Sequence, residues 1–255
     1  MKNILISEIE RTFKRKKTWV GILIYFGLIG LECLFLLMVG GKSFYDPTHA
    51  VTLNSLNTAP FLLRELGLFF QFVLIPMLVV DSFNGEYTSG AYRLILIRPQ
   101  ERTKLFLTKI CVQGAIVLCL LLFTMVVGMI FGMSAFPDVT EVSFLNTDPL
   151  QPMSVFFYVC KFYVIAYLIL LAVIAIGSLI SVLMPNTILS YIGIIGFLIG
   201  SLYVSDHFAF FLAFSDSIFQ VLGGQNNMLL IIVFLLLFIS YIINVATWRR
   251  RDWMG

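Results

Sequence analysis

The sequence predicts an all-α integral membrane protein with six transmembrane helices, and three observations carry that prediction. Of its 255 residues 60% are hydrophobic and only 12% charged, where soluble chains run near 45–50% and about 25%. The apolar residues gather into runs of the length an α-helix needs to cross a hydrocarbon core about 30 Å thick, roughly 20 residues. The short alternation of a membrane barrel is absent, which leaves helices as the way to satisfy the backbone in lipid. A mean hydropathy of +0.97 and 25 Phe exclude a disordered chain, a nucleic-acid binder and most soluble enzymes.

Residues 1–17, MKNILISEIERTFKRKK, place Leu5, Ile9 and Phe13 on one helical stripe and Glu10 four residues before Lys14 on the polar face. The spacing predicts an amphipathic helix along the inner membrane surface. Its stripe would lie in lipid, and the basic run at 14–17 would face anionic headgroups. A plain positive-inside anchor would carry the same charges. Residues 18–255 form the membrane domain, with spans at 18–39, 61–80, 104–131, 155–183, 187–204 and 228–247. Spans three and four exceed the lipid thickness, which implies tilt or extension. The first span is too long for a signal's apolar core and ends at Gly40-Gly41-Lys42 without a small-x-small site, so it is expected to stay in the mature chain. The apolar patch at 208–214 is too short to span. It reads either as a re-entrant hairpin before span six or as a loop with aromatic interface anchors.

Charge asymmetry sets the orientation. Of 17 basic residues, Lys42, Arg64 and Lys161 lie on one side, and the other fourteen lie with the two termini. Both termini are therefore expected in the cytoplasm, in a multi-pass protein of the cell membrane. Cys33, Cys111, Cys119 and Cys160 all sit in apolar runs, which argues against a disulfide framework. His49 and His207 stand alone, and no Cys or His pair has metal-site spacing.

The segment after span two is the most distinctive. Tyr87, Ala91, Leu94 and Ile95 fall on one helical face, and Pro99 closes it. A short amphipathic helix over 86–97 is expected, and its stripe could dock on a partner or rest on lipid. Glu86, Gly90, Arg93, Leu94, Leu96, Arg98, Pro99 and Arg102, with Lys109 opening the third span, form a loose motif. It resembles that of permease subunits of ATP-binding-cassette (ABC) exporters of the second type, over essentially the whole chain. Asp81 and Asn84 before Glu86 depart from that family's unbroken apolar-to-acidic step.

The resemblance implies that 86–97 is a coupling helix seated in a groove on a separate ABC ATP-binding subunit. Glu86, Gly90, Arg93, Leu94, Arg98, Pro99 and Arg102 would be its partner-coupling residues. It also implies a second permease chain, as homodimer or heterodimer, and export of a hydrophobic or amphipathic substrate such as a peptide antibiotic, drug or lipid-linked compound. ATP and Mg would sit on the partner subunit. This chain would bind no cofactor and no nucleic acid. Consistently, Gly41-Lys42-Ser43 ends like a phosphate-binding loop, but Leu36 stands where its first Gly belongs.

Ionisable residues inside the membrane are costly and default to functional hypotheses. Glu32 and Lys161 fall at matching depth in the outer half and could pair to fix helix packing, or contact substrate or an outer gate. Arg64 and Glu65 start span two, where snorkelling is easy. Two rival classes stand beside the permease. An ion-coupled carrier would need acids or broken helices at midplane, and only Glu32 approaches that. An intramembrane enzyme would need a metal box or an activated nucleophile, yet Ser178 and Ser181 have no His within the membrane.

Overall fold

The computed structural model describes residues 2–46, 48–90, 92, 101–225 and 228–250. Helix α1 (Lys2–Lys14) precedes six helices long and apolar enough to cross a membrane: α2 (Lys16–Met38), α3 (Thr58–Thr88), α4 (Arg102–Ala135), α5 (Pro152–Leu183), α6 (Thr187–Val204) and α8 (Met228–Arg250). The short α7 (Phe214–Leu222) lies between α6 and α8. Each expected span is present, five within about four residues of the expected bounds and the second extended to Thr88, and the chain is a multi-pass membrane protein. One strand pair departs from the all-α expectation. β1 (Lys42–Asp46) and β2 (His49–Thr52) form an antiparallel hairpin between α2 and α3.

Helices α3 and α5 form the centre, with 72% and 61% of their apolar windows buried, against 22% for α2, α6 and α8. Composition alone cannot order helices this way, because a lipid-facing and a core-facing helix are equally apolar. The polar and small residues do it. On α4, Gly128 and Gly132 form a small-xxx-small pair. A Cβ at Gly128 would stand 2.7 Å from Ala59 Cα, and one at Gly132 would stand 3.0 Å from the Ser55 carbonyl oxygen. Tyr163 of α5 donates to the Ala59 carbonyl at 2.9 Å, so the start of α3 is clasped from two sides.

Helix α3 is longer than expected and irregular. It contains two π-helical turns, Phe70–Leu74 and Asp81–Gly85, and the second carries it past residue 80. The first precedes Pro76, which lacks an N–H and crowds the carbonyl four residues back, so the widened turn absorbs the misfit. The helix closes at Thr88, and Gly90 turns the chain at φ +73°. The expected 86–97 helix is therefore not separate from span two at its start. Glu86 belongs to the final turn of α3, and residues 93–97 lie outside the described residues.

The two ends differ. At the end away from the termini, the hairpin, the loop after α4 and α7 cover the bundle. Tyr45, Phe61, Phe162 and Phe219 pack there with ring centroids 4.9–5.2 Å apart. The 208–214 patch forms a 3-10 turn (Asp206–Phe211) leading into α7, and both pack against the spans rather than hang as a loop. Phe210, Phe211 and Phe214 are buried, with Phe214 seated against Gly67, about nine residues into α3.

Candidate functional site, a buried charge cluster

At the end carrying the termini, α1, the last turns of α3 and the start of α4 meet over a cluster of charges. Lys109, Glu8 and Glu86 are 0%, 1% and 6% exposed. The Lys109 ammonium donates to Glu8 Oε1 at 2.9 Å, to Glu86 Oε2 at 2.7 Å and to the Ser82 carbonyl at 3.1 Å, which satisfies its three protons. It also stands 5.5 Å from the centre of the Tyr92 ring and 5.9 Å from that of Phe83. Ser82 donates its hydroxyl to Glu8 Oε1 at 3.1 Å, and Tyr92 donates to the Ser82 carbonyl at 3.1 Å. Arg11 pairs with Glu8 and, at 3.3 Å, with Glu86; Arg15 pairs with the other Glu86 oxygen.

Each element supplies its charge for a local reason. In α1, Glu8, Arg11 and Thr12 fall at i, i+3 and i+4, and Arg15 follows at i+7 in the extended joint before α2, so all four share one face. In α3, Ser82 and Glu86 stand four residues apart, so both face the same space. In α4, Lys109 lies two turns above Arg102, and its long stem reaches back toward the helix end. Burial would raise the Glu8 carboxyl, but Lys109 and Arg11 outweigh it and hold the group below the ordinary carboxylate value.

Three cations face two carboxylates, so the cluster carries one net positive charge. Isolated ions would not tolerate this burial, since each costs several kcal/mol to desolvate. Mutual pairing makes it tolerable, and the arrangement acts as a lock: no one of α1, α3 or α4 can withdraw without stranding a charge. Among the described residues no group of His, Cys, Asp or Glu could hold a metal ion.

Some residues of this cluster belong to the sequence motif and others do not. Glu86 and Lys109 both belong to the sequence motif, and Glu86 pairs with Lys109, Arg11 and Arg15. Gly90 forms the turn after α3, and Arg102 reaches the Arg249 carbonyl at 3.5 Å. Arg93, Leu94, Arg98 and Pro99 lie outside the described residues. Glu8, Arg11, Arg15 and Ser82 were missed as site residues, although the polar stripe at 8, 11, 12 and 15 was legible. Helix α1 forms within the expected segment and leaves its apolar stripe on the outside. Glu8 and Thr12 are buried, Glu10 and Lys14 stay exposed, and Leu5, Ile9 and Phe13 are 36–38% exposed.

The Glu32–Lys161 pair does not form. Glu32 shares a shallow pocket with Glu65, Leu66, Leu28, Leu31 and Phe35 on the α2–α3 face, and Lys161 is exposed on α5 without an ion pair among the described residues. Matching depth fails here because depth fixes height and not direction around the bundle. Arg64 instead braces the far end, donating to the Phe44 carbonyl at 2.6 Å and standing 3.7 Å from Asp216 and 3.9 Å from Glu65. All four cysteines are free thiols.

Six apolar helices, with a buried ionic lock at one end, define a polytopic helical membrane protein whose polar chemistry is concentrated at the terminal face. The chain belongs to the family described as protein of unknown function DUF2705, whose sequence profile matches residues 21–254. No curated protein matches the sequence significantly.

Proposed function

We propose that the chain is the membrane-spanning permease subunit of an ATP-driven exporter, with both termini in the cytoplasm of the producing cell. ATP and Mg are handled by a separate ABC subunit, and a second permease chain, identical or related, completes the path. The observation that carries the reading is the placement of the ionic lock. Glu86 and Lys109 flank the segment that joins spans two and three, where the sequence motif resembles a coupling helix, and both are tied to α1. A push on that segment from outside the membrane would reach α1, α3 and α4 together.

Purification in mild detergent, followed by identification of co-purifying proteins, tests the reading. An ATP-binding subunit should accompany the chain, and transport in vesicles should stop on ATP depletion. Glu86→Gln should weaken the link between hydrolysis and transport while the chain still inserts. Transport that survives ATP depletion and collapses with the proton or sodium gradient would replace the permease with an ion-coupled carrier. That second reading draws on one feature: Gln71, fully buried in the π turn at mid-span, has both amide atoms without a hydrogen-bond partner.

A further inference from the structure

The apolar stripe of α1 does not rest on a flat surface. Leu5, Ile9 and Phe13 form one wall of a groove of about 430 Å³, with Ile22 and Phe26 of α2 and Ala115 of α4 among the other walls. Among the described residues no charged side chain lines it. The corner between α1 and α2 is fixed: the Trp19 indole N–H donates to the Phe13 carbonyl at 2.8 Å, and the two rings lie 6.0 Å apart. Beside that corner runs a basic stretch with charge to spare. Lys17 is engaged by Asp81 at 3.1 Å. Lys14 meets Glu10 only at 3.9 Å with both side chains well exposed, and Lys16 is exposed without an ion pair among the described residues.

An apolar slot with surplus cations at its edge fits an amphiphile with a long apolar tail and a negative head. We propose that the groove binds an acyl chain of an anionic phospholipid whose headgroup is held by Lys14 and Lys16. A partner helix is about 10–12 Å across with its side chains and would not enter a slot of this volume, whereas a single flexible chain would. Hydrophobic burial supplies the affinity for the tail, and the lysines supply the headgroup preference. The consequence reaches the ionic lock. Helix α1 presents Glu8 and Arg11 to the cluster on one face and its stripe to the groove on another, so a bound lipid holds the lock closed. This inference goes beyond the permease reading and does not depend on ATP coupling.

Cys119 lines the groove, while Cys160 lies on α5 away from it, and both occur in the native chain. The test is alkylation by N-ethylmaleimide of delipidated protein in detergent, quantified peptide by peptide, after adding phosphatidylglycerol or phosphatidylcholine of the same chains. Phosphatidylglycerol should slow alkylation of Cys119 about fivefold or more beyond phosphatidylcholine, with Cys160 unchanged. In K14Q/K16Q the two lipids should act alike. Native mass spectrometry should show one fewer retained phosphatidylglycerol per chain in A115W, which fills the slot. L122W, a bulky change on the exposed side of the same helix, should retain it and report that such a residue does not unfold the chain. Equal protection by both lipids, or a headgroup preference that survives K14Q/K16Q, overturns the proposal. So does protection of Cys119 without lipid that follows the dimer fraction, since the occupant would then be a second copy.

Discussion

Replacing Lys109 by Met asks how much the ionic lock contributes. The side chain is fully buried and holds Glu8 at 2.9 Å and Glu86 at 2.7 Å. Methionine has a similar length and leaves little cavity, so the change isolates the charge. Removing one member of a buried ion pair costs about 3–5 kcal/mol, because the partner stays desolvated. Here Arg11 and Arg15 remain on the same carboxylates, and their side chains are 28% and 21% exposed, so their screening is partial. The four charges left would balance, which places the loss at or below the lower end of that range, about 2–3 kcal/mol. For a chain of this size that corresponds to a drop of roughly 4–12 °C in melting temperature. Thermal unfolding followed by fluorescence in mild detergent measures it. The double variant K109M/E86Q should lose less than the sum of the two single losses, since each single change already breaks the Lys109–Glu86 contact. A shift in K109M below about 1 °C, or a double variant worse than the sum of its parts, would refute the reasoning.

Acid should release α1 in a defined window. With the Glu8 carboxyl held below its ordinary 4.5, its contribution is complete above pH 4.5 and is lost as pH falls through the depressed value. The parent should therefore lose stability below pH 4.5 more steeply than E8Q, and hydrogen exchange of α1 should rise over the same range. Gly128→Leu should destabilise by about 1–3 kcal/mol through overpacking, because a Cβ there would meet Ala59 Cα at 2.7 Å. The same change at Gly30, where nothing lies within 4 Å, should be near neutral in the same melting assay. Neutralising Glu32 and Lys161 singly and together should give additive effects within about 0.5 kcal/mol, as groups that do not meet do.

The spans were legible because bilayer thickness imposes a length and composition that no tertiary context overrides. Their order from core to lipid was not, because apolar residues on lipid-facing and buried surfaces look alike; Gly128 and Gly132 carried that information. The extension of α3 to Thr88 was hidden by Asp81, Ser82 and Asn84, which read as the end of a span. They stay helical because each finds a partner. Ser82 bonds Glu8 at 3.1 Å, Asn84 donates to the Met184 carbonyl at 2.7 Å and Asp81 meets Lys17 at 3.1 Å. The β1–β2 hairpin left no clear pattern in a loop this short. Its geometry is held by Asp46, which accepts from the backbone N–H of Thr48 and of His49, both at 2.8 Å. These bonds, the Thr48 hydroxyl's first, keep the Asp46 carboxyl well below its usual range.

The way α1 divides its faces between protein and surroundings has a physical reason that bears on its role. A surface helix ordinarily buries its apolar stripe, since transferring that stripe from water is its main source of stability. Next to a bilayer the stripe is already out of water, so lipid removes the reason to bury it in protein. The polar face then has the stronger claim on a protein partner. Left against headgroups, Glu8 would face anionic charge; turned inward, it meets Lys109. The same logic confines the lock to the end of the bundle. Arg11 and Arg15 stay partly exposed, so two of the five charges keep some hydration, which a mid-span position would deny them. An ionic cluster in such a place is stable enough to join three helices and close enough to solvent to be opened by acid. It is therefore the element of this fold best suited to carry a signal between the terminal face and the spans.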